Sequence, residues 1–386
     1  MTALAQIGGI GIAGLTRTES GSADVLSTQA IRAAIADAGL APSDIDGLLI
    51  SRSGASSEPG LSLLQASQLR NPRLLQVIDC EGTSAIQMIH TASMAIAAGA
   101  ARHVVCVFCD TPLRSGNSGR EAFTKPKNVT GLASLRYCAG AYGGAANYAL
   151  SAAYYLHQHG LGERHLGAVA VSTRAWACLN PLAVLRKPLT LDDYLAARFI
   201  VKPLRLFDCA LPVNGAIAVV VSAEDHAPQG PHGASYIHGL AQAHDGAANA
   251  FPAWRREAAC RAGAQALAMA RIGVQDVDVR ELYDAFTIMT LQTLEDYGFC
   301  GPGEAGHVAE SGALGPGGRL PTNTGGGQLS AFYMQGMTPV AEAVWQSRGE
   351  AGARQCERHD VVLATNEGGW YDHHACLVLS KHRHLI

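Results

Sequence analysis

Nothing in this 386-residue chain is apolar for long enough to cross a bilayer. A membrane helix needs about 20 consecutive apolar residues, and the apolar runs here are shorter and broken by Gly, Arg or His. An excess of charge of one sign is missing too. The 29 Lys and Arg stand against 32 Asp and Glu, for a formal net charge of −3. No basic run could track a phosphate backbone, which excludes a nucleic-acid face built on charge. The N-terminal stretch MTALAQIGGIGIAGL has neither a basic start nor a convincing cleavage site. It is expected to be a first buried strand, not a signal peptide.

Clustered metal ligands are also missing. Ten cysteines are scattered along the chain, several of them inside apolar runs, where a thiol behaves as a small hydrophobe. A reducing, cytoplasmic setting is expected. Cys106 and Cys109 read as C-x-x-C, but residues three apart in a strand face opposite sides. No metal site is expected.

What the chain has is apolar bulk, 48% of its residues, and 43 glycines. That is ample for a large core. The most organised stretch is 74–108. The run LLQVI (74–78) reads as a strand and leads into Asp79-Cys80-Glu81-Gly82-Thr83-Ser84. Apolar residues at 85, 88, 89, 92, 95 and 96 then mark one face of a helix, which Gly99 stops. VVCVF (104–108) reads as a strand buried on both faces. A small-residue turn at a helix N-terminus offers backbone N–H groups and the positive end of a dipole to a ligand. This turn is expected to be the floor of the active site.

The rest of the chain repeats itself. QAIRAAIADAGLAPSDIDGLLIS (29–51) parallels RAGAQALAMARIGVQDVDVRELY (261–283), with Asp44-Ile45-Asp46 falling on Asp276-Val277-Asp278. Asn323-Thr324-Gly325-Gly326-Gly327 is expected to open a helix over 329–347, followed by a strand at 360–365, as a second copy of the central unit. Repeated βαβ units imply sheets covered by helices. The expected division is an N-terminal half, 1–228, with a polar loop near 111–130, and a C-terminal half, 236–386.

NPLAV (180–184), DDYLAARFIVKPLRLFDCALPVNGA (192–216), ELYDAFTIMTLQTLEDYGFCGPGEAG (281–306), LPTNTGGGQLSAFYMQGM (320–337) and RGEAGARQ (348–355) occur in family order. Together with the two-half layout they resemble the thiolase superfamily, most of all its sterol-carrier or lipid-transfer-type branch. The resemblance implies an α/β thiolase fold of two pseudo-repeated halves in five layers, αβαβα. It further implies a homodimer, an acyl-coenzyme A thioester as ligand, and a small partner protein with an OB fold and zinc ribbon. No cofactor is implied beyond the coenzyme A that the substrate carries.

A thiolase needs a nucleophilic Cys at the head of the central helix. Counted back from Gly99, that place is Gly82, with Cys80 two residues earlier at the strand end. The other family positions fall on Tyr283, before Asp284-Ala285-Phe286, on Gln335, and on the loop Asn366-Glu367-Gly368-Gly369-Trp370-Tyr371. The pattern resembles the lipid-transfer-type aldolases of steroid side-chain degradation. These cleave a β-hydroxyacyl-coenzyme A to a ketone and a shorter acyl-coenzyme A, using tyrosines. Tyr283 and Tyr371 are the expected base and acid, in either order, with Asp284, His373 or Cys80 assisting. Backbone N–H groups at Gly82–Thr83 and Gly368–Gly369 are expected to hold the enolate oxygen. Gly326 and Gly327 would let the thioester approach closely, with Gln335 beside it. The alternatives are a thiolase or acyltransferase using Cys80, and a non-catalytic subunit that binds acyl-coenzyme A.

Overall fold

The computed structural model describes residues 4–53, 59–114, 134, 137–141, 143–226, 230–245 and 256–385. From residue 115 onward, the polar loop expected near 111–130 lies outside them.

The N-terminal half contains β1 (Ala5–Thr16), α1 (Ala23–Asp37), β2 (Gly47–Ser53), α2 (Pro59–Ser67), β3 (Leu74–Val77), α3 (Ser84–Ala97) and β4 (His103–Asp110). Helices α4 (Gly143–Gln158), α5 (Glu163–Leu179) and α6 (Leu191–Ala196) follow, then the small hairpin β5 (Phe199–Val201) and β6 (Leu204–Arg205), and β7 (Asn214–Ser222). The C-terminal half runs β8 (Ser235–His244), α7 (Glu257–Ala270), β9 (Val279–Glu281), α8 (Thr287–Asp296), α9 (Ala305–Glu310), α10 (Met337–Arg348), β10 (Val362–Gly368) and β11 (His373–Ser380).

Strand order makes the repeat visible. In one half β2 pairs parallel with β4, and β4 and β1 both pair antiparallel with β7. In the other half β9 pairs parallel with β10, and β10 and β8 both pair antiparallel with β11. The repeated Asp-x-Asp explains the matching geometry. Asp44 and Asp276 each accept the backbone N–H three residues back, at 2.8 Å, which closes a turn. Asp46 then accepts the N–H groups of Arg102 and His103, and Asp278 those of Asp360 and Val361. Each second aspartate thus satisfies donors at the entry to the neighbouring strand.

Three apolar clusters set the layers. Helix α1 covers one face of the first half-sheet through Ala30, Ile31, Ala34 and Ile35. Helices α4, α5, α7 and α8 cover the outer face of the second. Between the half-sheets lie α3 and α10, whose Ile86, Met88, Ile89, Val340 and Val344 pack with strands of both. The result is αβαβα. The half-sheets meet edge to edge where Ala5–Ile7 pairs with Ser235–Ile237. Cys106 and Cys109 face different apolar clusters, as residues three apart in a strand must.

One expected element differs. The stretch after Gly327 does not enter α10 directly. A single wide turn, Gly327–Ala331, is followed by an extended Phe332 and by Gln335 at φ 45°, and α10 starts only at Met337. The left-handed Gln335 breaks the helix and makes a loop that points Tyr333 toward the central turn.

Candidate active site

Helix α3 begins at Ser84, after a tight 3-10 turn over Glu81–Thr83. Cys80 comes before that turn and does not head the helix. Gly82 is buried, and the space at its missing side chain is taken. A Cβ there would lie 1.9 Å from the carbonyl oxygen of Glu367 and 2.5 Å from the hydroxyl of Tyr283. The phenol of Tyr283 therefore stands where the side chain of residue 82 would point. Sequence marks the position as empty, and the fold fills it with a tyrosine.

Two other segments close on the same point. The Asn366 side chain, fully buried, accepts from the backbone N–H of Ile86 at 3.0 Å and donates to the carbonyl of Gly336 at 3.1 Å. One amide thus caps the first turn of α3 and ties it to the start of α10. Gly336 must be glycine, since a Cβ would meet Asn366 Oδ1 at 2.0 Å and the Gly82 carbonyl at 2.6 Å.

Tyr283 is 5% exposed and its hydroxyl lies 3.3 Å from that of Tyr333. Burial, with Tyr333 beside it, pushes the Tyr283 phenol well above the ordinary range. Burial also raises Tyr333, but only to about 12, because the bond with Tyr283 stabilises its phenolate against the opposing fields of Asp110 and Glu81. Both phenols therefore hold their protons at neutral pH, joined by one hydrogen bond.

Tyr371 makes a different bond through its hydroxyl. Its backbone is left-handed at φ 67°, and its hydroxyl donates to Gln292 Oε1 at 2.7 Å. The Arg256 guanidinium lies 5.2 Å from its ring centre, and Tyr148 packs edge-on against it. Burial raises its phenol as well. Tyr371 belongs to a packed aromatic wall with Tyr148 and Phe286, while the hydroxyl that meets Tyr283 is that of Tyr333.

Behind this wall lies a buried ionic network. Arg256 binds Asp296 at 2.6 Å, Glu367 at 2.7 Å and Thr293 at 2.9 Å. Burial pulls the guanidinium down, but the two carboxylates outweigh it and keep it charged. Burial lifts Glu367 to about 7 against the pull of Arg256. His374 is the inward member of the adjacent histidines. Its Nε2 lies 2.9 Å from the Tyr297 hydroxyl, and burial holds the ring neutral. His373 turns outward and meets His244, Nδ1 to Nδ1, at 2.9 Å.

Several expected ligand-facing groups are already engaged. The Thr83 N–H donates to the Cys80 carbonyl at 3.2 Å, and the Gly369 N–H to Glu81 Oε2 at 2.7 Å. Gly326, at φ 94°, presses on Ala177, where a Cβ would come within 2.6 Å. Gly327 presses on Asp284, whose Oδ2 would lie 2.0 Å from a Cβ. These glycines permit close packing of protein on protein. Asp284 accepts the Gln328 N–H at 2.7 Å and is raised to about 7 by burial. Its role is to hold the glycine-rich turn. Gln335 is half-buried, and its carbonyl accepts from Gln328 Nε2. Strain gathers around the pocket: Glu81, Asn323, Gln335 and Tyr371 all have positive φ without being glycine.

Sequence reasoning missed Tyr333 and Arg256, and named Asn366 and Glu367 only as members of the C-terminal loop. A usable signal existed for the first, a tyrosine two residues before Gln335 in the loop to which the resemblance assigns a histidine.

Five layers, with two inner helices opening on one glycine-lined point, define a thiolase-like protein whose nucleophile position is glycine. The family described as thiolase C-terminal domain-like matches residues 241–381. A steroid side-chain-cleaving aldolase of Thermomonospora curvata is 32% identical over 376 residues, 94% of this chain and 95% of that one. A 17-hydroxy-3-oxo-4-pregnene-20-carboxyl-CoA lyase of Mycobacterium tuberculosis is 35% identical, covering 89% and 92%. The solved structure described as the Ltp2-ChsH2(DUF35) aldolase superposes with a TM-score of 0.87 at 32% identity, over 99% of this chain and 98% of that chain. The chain belongs to the thiolase superfamily, in the lipid-transfer-type branch that contains these aldolases.

Proposed function

We propose that this protein is a retro-aldolase that cleaves a β-hydroxyacyl-coenzyme A, with a steroid side chain as the acyl group, into a ketone and a shorter acyl-coenzyme A. The observation that carries the reading is the Tyr283 hydroxyl in the Gly82 slot, paired with Tyr333. Retro-aldol cleavage needs a base for the β-hydroxyl proton, a donor for the thioester enolate, and an acid for the α-carbon. Both phenols are protonated at neutral pH, so the pair acts as a relay. As the carbon–carbon bond breaks, Tyr333 takes the β-hydroxyl proton and passes its own to Tyr283 across their 3.3 Å contact. Tyr283 passes its own to the α-carbon of the enolate, which leaves both phenols protonated again. No bond to sulfur is made, and the only cofactor-like group is the coenzyme A of the substrate.

Two further parts of the reading rest on sequence and shape. The outer edge of β3, which has no strand partner among the described residues and carries the exposed Leu75 and Val77, supports a homodimer joined strand to strand. The likeness to the Ltp2-ChsH2(DUF35) aldolase supports a small partner subunit with an OB fold and zinc ribbon. No described helix is long and apolar enough to cross a membrane. The scatter of ten cysteines along the chain, several of them in apolar runs, supports a reducing, cytoplasmic setting.

The test is turnover of a β-hydroxyacyl-coenzyme A in the presence of the partner. Tyr283→Phe and Tyr333→Phe should each lower kcat by about 10²-fold or more, and Cys80→Ala should leave it within a few-fold. A Cys80→Ala enzyme that is dead, with an acyl group trapped on that thiol in the parent, would overturn the reading.

A further inference from the structure

Away from this pocket, α5 and α9 meet at three side chains that the aldolase reading leaves unused. His165 of α5 faces His307 and Glu310, which lie three apart on α9 and so share one face. Their ligand atoms all lie within 4.8 Å of one another. Nε2 of His165 is 3.4 Å from Oε2 of Glu310, and Nδ1 of His307 is 3.8 Å from the same oxygen. The two imidazoles stand edge to face with centres 5.0 Å apart.

These spacings are informative because they are too long for direct hydrogen bonds, which span about 2.7–3.2 Å. They do suit the edges of a coordination tetrahedron. Bonds of about 2.0–2.1 Å from zinc to nitrogen and oxygen put neighbouring ligand atoms roughly 3.4 Å apart. The surroundings are also those of a ligand set. His165 is buried, and its Nδ1 lies 3.0 Å from both the backbone N–H and the carbonyl oxygen of Gly162. Ligation through Nε2 takes the tautomer in which Nδ1 carries the proton and donates to that carbonyl. The Arg164 guanidinium holds the other carboxylate oxygen of Glu310, Oε1, which leaves Oε2 free to ligate. The His307 side chain is 68% exposed, so it can close the remaining gap without disturbing the core.

We propose that His165, His307 and Glu310 bind one zinc ion, with water in the fourth position. Two imidazoles and one carboxylate suit zinc. The ion fastens the short α9 onto α5, the helix whose Ala177 supports Gly326 of the glycine-rich turn. It takes no part in carbon–carbon cleavage, and the proposal stands whether or not the aldolase reading does.

The test uses the full-length, untagged chain, stripped with EDTA and titrated with Co²⁺. The expected result is the strong visible absorption of tetrahedral cobalt at one ion per chain, bleached by Zn²⁺. His165→Ala and His307→Ala should each weaken binding at least tenfold, and His359→Ala, outside the cluster, should not. Zn²⁺ should raise the Tm of the parent and not of His307→Ala. Circular dichroism of His307→Ala separates lost ligation from lost fold. Absence of tetrahedral absorption in the parent, or equal affinity in His307→Ala, overturns the proposal.

Discussion

At the scale of single residues, Gly82 and Tyr371 make opposite predictions. Replacing Gly82 by Ala drives a methyl group into the Glu367 carbonyl and the Tyr283 hydroxyl. The carbonyl belongs to the backbone of β10 and cannot step aside. Gly82→Ala should lose about 1–3 kcal/mol of stability, as overpacked cores do, together with most of its activity; denaturant midpoints and kcat read the two. Tyr371→Phe removes a hydrogen bond to Gln292 and nothing from the Tyr283–Tyr333 pair. It should cost about 1 kcal/mol of stability and leave kcat within a few-fold, where Tyr283→Phe lowers it by about 10²-fold or more. Gly82 was legible in the sequence because the central helix can be counted back to its first turn, and Tyr283 through the resemblance, as the residue before Asp284-Ala285-Phe286. Tyr333 was not, since its place depends on the left-handed Gln335 that interrupts the expected helix. Arg256 was out of reach as well. Its partners Asp296 and Glu367 lie far along the chain, and no spacing rule connects them.

Elements were easier to read than their contacts. The amphipathic spacing of α3, the apolar runs of β4 and β7 and the repeated Asp-x-Asp turns were all in the sequence. Each is a local pattern with a local cause. The glycine-rich turn was legible as a special backbone, but what it approaches is set by tertiary packing. Gly326→Ala would need φ 94° in a residue with a Cβ and would collide with Ala177. A loss of stability of about 1–3 kcal/mol is expected, seen as a lower Tm. The edge strand β3 makes a separate prediction. Val77 is 56% exposed on a strand whose outer edge has no partner among the described residues. Val77→Lys should shift the protein toward monomer, measured by sedimentation, because a charged edge resists strand addition.

For the whole molecule, buried carboxyls make stability depend on pH. Asp284 and Glu367 are held near 7 and Asp208 near 6, in each case chiefly by burial. Carboxyls in the unfolded chain ionise near 4, so between about pH 4 and 7 the folded form binds more protons than the unfolded one. The contribution of these groups is complete below the unfolded value and is lost as pH rises through 6 to 7. Urea midpoints should fall across that range, and Asp284→Asn should flatten the fall. The paired half-sheets have another consequence. Each half presents an oily inner surface that α3 and α10, one from each half, help to keep from water. A chain severed between the halves should yield two fragments that precipitate when made singly. When made together they should reassemble around their shared pair of helices.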